Sequence, residues 1–181
     1  MVALGGRVEF PEMVERARVA LIDPEAGGVA QPYHAAAEMD PEDAEAYIVS
    51  SADSSSAVAR EQMEALFVKL RAKNCGAARC AILDASGREP GILANTLASH
   101  AMIHTADGVF FRNAIARACG QLEVPVIRLK EREALRVAED QLGLTAERLQ
   151  GHLAVIGKTA GPPWTQDQKL AALAAWIAMK R

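Results

Sequence analysis

Three aspartates and two histidines stand where chemistry would need them. Asp23 closes the apolar run VALID, Asp84 closes AILD, and Asp167 falls in the first turn of a helix that opens after GPPWT. Carboxylates are hard oxygen donors, suited to Mg²⁺ or Mn²⁺, and such ions position water and stabilise a leaving oxygen in phosphodiester hydrolysis. The plainer reading is that strand-end aspartates start turns and that Asp167 complements a helix dipole. His100 and His104 are four residues apart in a helical stretch, with Asp107 three further on. That spacing puts all three on one side of the helix, near enough for a metal or for His–Asp orientation. The pair lacks the intervening Glu of a zinc-protease motif, and partly buried, hydrogen-bonded histidines are its plainer reading. His34 lines the same cleft if the stretch around Pro32-Tyr33 is an irregular loop.

Lys158, Lys169 and Arg112 are the candidates for phosphate contacts, against the plainer reading of solvated charge. Lys158 is in a Gly-bounded turn and Lys169 follows Asp167 by two residues. The charge balance gives them no help. Twenty Lys and Arg stand against 23 Asp and Glu, a formal net charge of −3, so a nucleic-acid partner would need a local basic patch. RLKEREALR at 128–136 is mixed in sign and reads as a solvated face. Trp164 could stack a nucleobase, although a Trp beside Pro162-Pro163 is more simply explained as fixing a turn. There is no G-x-S-x-G elbow, Walker A sequence or G-x-G-x-x-G fingerprint. The three cysteines lack CxxC spacing, which points to reduced thiols in a cytoplasmic protein. No apolar run reaches the roughly 20 residues of a membrane span.

The elements that must position these residues follow from periodicity and punctuation. The 181 residues are half apolar but only 4% aromatic, so Ala, Leu, Ile and Val fill one α/β domain over 1–181. Strands are expected at 2–10, 19–23, 46–56, 79–87 and 123–131, and a short helix at 11–18. Residues 29–38 read equally as strand or helix. Ser56 is placed as the cap of a helix with Val58, Met63, Leu66, Phe67 and Leu70 on one face, stopped by Gly76. Residues 89–121 are helical with an interruption near Gly108, and 132–142 form a helix stopped by Gly143. Thr145 opens another that runs to about Ile156. After a Gly/Pro turn from Gly157, Thr165 and Gln168 form a capping box for the last helix. Its buried face is Leu170, Leu173, Ala174 and Ile177.

Three strands with little helix between them, then helix–strand–helix–strand–helix, resemble the RNase H-like fold, and particular residues resemble its RuvC-type Holliday-junction resolvases. VALIDPEAGG is similar to the first-strand turn of that family, AILDASG to its fourth-strand acid, and GKTAGPPWTQDQKLAALAAW to its final turn and helix. Glu25 stands in place of the family's glycine, Asp84 in place of its usual Glu, and no second acid accompanies Asp167 at Leu170. The resemblance implies a mixed five-stranded sheet, three strands antiparallel and then two parallel, flanked by helices. It further implies Asp23, Asp84 and Asp167 as catalytic ligands of Mg²⁺ or Mn²⁺ and structured nucleic acid as substrate. The whole chain also resembles a bacterial family without an assigned activity, through IHTADGVFFR and GPPWTQDQK. Two other readings stand beside the nuclease: a non-catalytic RNase H-like module that binds protein or RNA, and a small-molecule hydrolase or binding protein using His100, His104 and Asp107. The Ala/Leu-rich faces suggest a homodimer.

Overall fold

A computed structural model describes every residue except Pro24, Ala26, Ala77 and Arg181. The chain divides into two compact units: Met1–Val19, Ala65–Asp84 and Glu123–Arg181 form one, and Ala20–Glu64 with Ala85–Leu122 form the other.

The first unit begins with a hairpin, β1 (Val2–Arg7) and β2 (Phe10–Arg16), paired antiparallel from Val2↔Arg16 to Arg7↔Phe10. The expected helix at 11–18 is therefore a strand. Glu, Met and Arg favour helix locally, but propensity is a weak prior that tertiary context overrides. Here β1 offers a full partner ladder, and Met13 packs against the core. A second pair, β3 (Cys80–Asp84) and β4 (Val126–Lys130), is parallel with Asp84 opposite Lys130. Besides a 3-10 turn at Glu131–Glu133 and the end of a longer helix, from residue 65 to Ala72, three α-helices lie wholly in the unit: α5 (Ala134–Leu142), α6 (Ala146–Ala160) and α7 (Gln166–Lys180). Their buried faces form the core with Val2 and Leu129, around Leu149, Leu153, Ile156, Leu173, Ile177 and the fully buried Trp176. The Trp176 indole N–H is satisfied by Val8 O at 2.7 Å, as a buried indole requires.

The punctuation of these helices follows the sequence closely. Gly143 ends α5 at φ 67°, a left-handed conformation that costs glycine little. Thr145 accepts from the Arg148 N–H at the start of α6. At the start of α7, Gln168 N–H donates to Thr165 Oγ1 (3.4 Å) and Thr165 N–H to Gln168 Oε1 (3.2 Å), the reciprocal capping box. The expected turn from Gly157 instead begins at Gly161, because α6 continues through Ala160. The Arg16 guanidinium holds that turn, donating to Gly161 O (2.9 Å) and Pro163 O (2.7 Å).

The second unit contains α1 (Pro32–Ala36), the larger part of α2 (Pro41–Ala72), α3 (Leu93–Leu97) and α4 (His100–Gln121). Residues 29–38 thus resolve to a short helix. Both α1 and α3 pack on α4, and the buried residues include Ala36, Ala44, Ala59, Ile103, Ala106, Phe110, Ala114 and Ala118. The expected strand at 46–56 is the body of α2. Pro41 and the acidic Glu42 and Asp43 suit its first turn. Its serines bond to backbone carbonyls: Ser50 Oγ to Tyr47 O, Ser56 Oγ to Ala52 O, and Ser55 Oγ to Leu21 O. Ser56 is therefore a mid-helix residue and caps nothing. After Ala72 the left-handed residue is Asn74 at φ 61°, not Gly76. The helix α4 runs through Gly108 without a break.

These observations overturn the five-stranded RNase H-like sheet. The described residues form two separate two-stranded sheets and are mostly helical. Residues 19–23 form no strand. Asp23 instead folds its segment locally, with Oδ1 accepting from Glu25 N–H at 2.9 Å and its carbonyl from Gly28 N–H at 2.8 Å, a turn in which the aspartate bonds its own backbone two residues on. Part of that turn, residues 24 and 26, lies outside the described residues.

Candidate metal centre

The site is built from α1 and α4, both in the second unit. Pro32 occupies the first turn of α1, where its missing N–H costs nothing. The next N–H, that of Tyr33, is one of the donors a helix leaves without an internal partner. The capping position, Gln31, makes no side-chain bond to it. Asp107 of α4 does so instead: its Oδ1 accepts the Tyr33 N–H at 2.7 Å. Its other oxygen, Oδ2, lies 2.6 Å from His34 Nδ1. Asp107 is buried, at 7% exposure, so its charge must be met by hydrogen bonds. Both oxygens are so met.

This pairing fixes the chemistry of His34. An ionised carboxylate only accepts, so Nδ1 carries a proton, and in the neutral ring that leaves the lone pair on Nε2. His100 and His104 supply two more imidazoles one turn apart on α4. Their Nε2 atoms are 3.1 Å apart. Two imidazole nitrogens bound tetrahedrally at about 2.0–2.1 Å from a zinc ion stand about 3.3 Å apart, so this pair is close to ligand spacing. One nitrogen from each of His34, His100 and His104 lies within 4.8 Å of the others. The rings meet steeply, at 61° to 88° with centroids 4.4 to 5.4 Å apart. His100 and His104 are exposed and His34 is half-buried, so the cluster opens to solvent.

Tyr33 precedes His34 on α1. Tyr33 stands edge-on to Phe110, with centroids 6.3 Å apart. Burial pushes the Tyr33 phenol above its ordinary range, and the Asp107 charge adds to the shift.

Among the described residues the three histidines form the metal-ligand group, and Asp23, Asp84 and Asp167 belong to none. Asp23 lies in the second unit, whereas Asp84 and Asp167 lie in the first. Asp84 does sit at the carboxyl end of β3, but Arg128 of β4 grips it in a two-pronged ion pair, Nε–Oδ2 at 2.9 Å and Nη2–Oδ1 at 2.6 Å. Asp167 and Lys169 are exposed on α7, and Lys158 is exposed in the last turn of α6. Arg112 is half-buried on α4, two turns beyond His104. Asp107 orients His34 rather than joining the ligand group. The third histidine of the group, His34, comes from a helix and not from an irregular loop. Among the described residues, no helix is long and apolar enough to cross a membrane.

Comparison with family models, with curated proteins and with solved structures returns no match.

Proposed function

We propose that His34, His100 and His104 bind a divalent transition metal of the zinc type, and that the chain is a metal-dependent hydrolase acting on a small molecule. One observation carries this reading: three imidazoles from two helices converge, and a buried carboxylate sets the tautomer of one of them. Carboxylate–histidine pairs of this kind orient ligands in many metal sites and raise their basicity. Imidazole nitrogens suit zinc and its neighbours, whereas Mg²⁺ and Mn²⁺ favour oxygen donors. Three protein ligands leave a fourth tetrahedral position for water or substrate, the arrangement of catalytic rather than structural zinc. Once bound there, such an ion supplies Lewis acidity, polarising a carbonyl or phosphoryl oxygen and acidifying a water. The protein's part is to hold the rings. Asp107 aims His34, and the His100–His104 contact keeps that pair near ligand spacing before metal arrives.

The reading of Asp23, Asp84 and Asp167 as Mg²⁺ or Mn²⁺ ligands drew its convergence from a five-stranded sheet that this fold lacks. The test compares chelator-stripped protein with protein reloaded with Zn²⁺, Co²⁺ or Mn²⁺, on chromogenic carboxyl esters and phosphate esters. Hydrolysis that needs the metal and is lost in His104→Ala supports the proposal. Metal-independent turnover, or turnover that survives His104→Ala, contradicts it.

A further inference from the structure

The three histidines do not stand on equally firm ground. His100 and His104 belong to α4, which has 22 residues, whereas His34 belongs to α1, which has five. Isolated helices shorter than about 12–15 residues are marginal in water, so α1 keeps its form through what it packs on. Its own turns are closed by Ala35 N–H donating to Gln31 O and Ala37 N–H to Tyr33 O, both at 3.1 Å.

The contacts that hold α1 to α4 run through the residues beside the site. Asp107 accepts from the Tyr33 N–H and from His34 Nδ1, and the Tyr33 ring stands edge-on to Phe110. Pro32 and Ala36 are buried. Opening of α1 would strip both of these partners from the buried Asp107 carboxylate and take the Tyr33 ring from Phe110. Local openings of this kind occur in all proteins, at free energies set by how much each segment packs and bonds.

An ion that uses His34 binds the docked form better than the open one, in which His100 and His104 are the two rings of the three still at ligand spacing. A ligand shifts a two-state equilibrium by its differential affinity for the two states. At free Zn²⁺ about 100 times its Kd, an ion that bound the docked form alone would make opening about 100-fold rarer. Residual binding by the His100–His104 pair reduces that figure.

We infer that the trihistidine ion is also a latch: its occupancy decides how firmly α1 stays docked on α4, so that loss of metal is converted into release of α1. This rests on the metal reading above. The layout suits the role. The two rings on the long helix are exposed and meet an arriving ion from solvent, and the half-buried ring on the short helix closes on it. One ion thereby holds two elements that are distant in sequence.

The test is hydrogen exchange of the full chain by mass spectrometry, read on peptides spanning 31–38 with and without Zn²⁺. Competition for Zn²⁺ against a chromophoric chelator is measured alongside. Wild-type protein at saturating Zn²⁺ is expected to exchange at 31–38 at least about tenfold more slowly than chelator-stripped protein. In His34→Ala, Zn²⁺ is expected to leave exchange there within about twofold of the metal-free rate, because the ion no longer distinguishes docked from open. Zn²⁺ bound by wild type with exchange at 31–38 unchanged overturns the latch and leaves the metal site standing. A slowing in His34→Ala as large as in wild type overturns it too, since the effect would not run through His34. Failure of wild-type protein to bind Zn²⁺ overturns the metal reading, and this one with it.

Discussion

Replacing Asp107 by Asn separates what this residue does for the metal from what it does for the fold. The carboxylate makes two contacts, to the Tyr33 N–H at 2.7 Å and to His34 Nδ1 at 2.6 Å. In Asp107→Asn the amide oxygen can keep the first. The amide nitrogen must then face His34 Nδ1, and as a donor it requires Nδ1 to be the acceptor. That moves the ring proton to Nε2 and removes the lone pair that would ligate. Changes to such orienting partners cost about 10- to 100-fold in metal affinity, or about 1.4–2.8 kcal/mol. The fold should feel much less, because the cap on α1 survives. Asp107→Ala is the contrast: it strands the Tyr33 N–H as well, adding about 1–3 kcal/mol for a buried donor left without a partner. The assay is competition for Zn²⁺ against a chromophoric chelator, with thermal melting of the metal-free protein alongside. Asn is expected to lose metal affinity with little change in Tm, and Ala to lose both. Asp107→Asn binding Zn²⁺ as tightly as wild type would refute the tautomer argument.

Two further predictions concern the rest of the molecule. In Gly157→Ala, the new methyl would stand 2.4 Å from Trp164 Cδ1 and 2.5 Å from Nε1. Overpacking of this kind costs about 1–3 kcal/mol, which outweighs the roughly 1 kcal/mol gained in helix propensity; a Tm lower by about 2–4 °C is expected, and a higher Tm would show that Trp164 moves aside freely. Tyr33 is expected to ionise above the ordinary tyrosine value of about 10. Because its folded pKa is raised, its contribution to stability is intact below that ordinary value and is lost as pH rises through the folded one. Absorbance at alkaline pH should show a late phenolate step that Tyr33→Phe removes, and an unchanged titration curve in that variant would contradict the assignment.

What the sequence discloses about this fold depends on how local each cause is. The capping box at Thr165 and Gln168, the glycine stop at Gly143, and the short apolar runs at Cys80–Asp84 and Val126–Lys130 are written in adjacent residues, and each stands where local pattern predicts. The Ser-rich segment of α2 is different. AYIVSSADSSS has strand-like β-branched residues and hydroxyls that suit loops, yet three of those hydroxyls are absorbed by carbonyls, two of them within the helix itself. That misreading, with 19–23, accounts for the sheet that is not there; the error at 11–18 ran the other way, a strand read as helix. The β2 segment takes its conformation from β1, a partner no local window weighs.

The site was half legible for the same reason. His100, His104 and Asp107 share a helix, and their spacing alone puts them on one side. His34 reaches Asp107 across 73 residues of chain, and no periodicity connects them. The one local clue is Pro32 placed to start a helix, which would have set His34 on a rigid element. Asp107 was legible as a member of the set but not in its role, since its second oxygen serves a backbone N–H that only the packing of α1 on α4 brings near. The aspartates illustrate the opposite error. Each ends a run or starts a helix in sequence, and in the structure each serves its own segment or the neighbouring strand. Asp23 builds a turn, Asp84 pairs with Arg128, and Asp167 lies in the first turn of α7.

The measurement that bears most directly on the trihistidine centre is anomalous diffraction at the zinc edge from crystals of the Zn²⁺-loaded protein. The expected result is one ion per chain, with Nε2 of His34, His100 and His104 at about 2.0–2.1 Å and the Asp107 carboxylate still on His34 Nδ1. Three rings without an ion between them at saturating Zn²⁺, or an ion held by other residues, would contradict it.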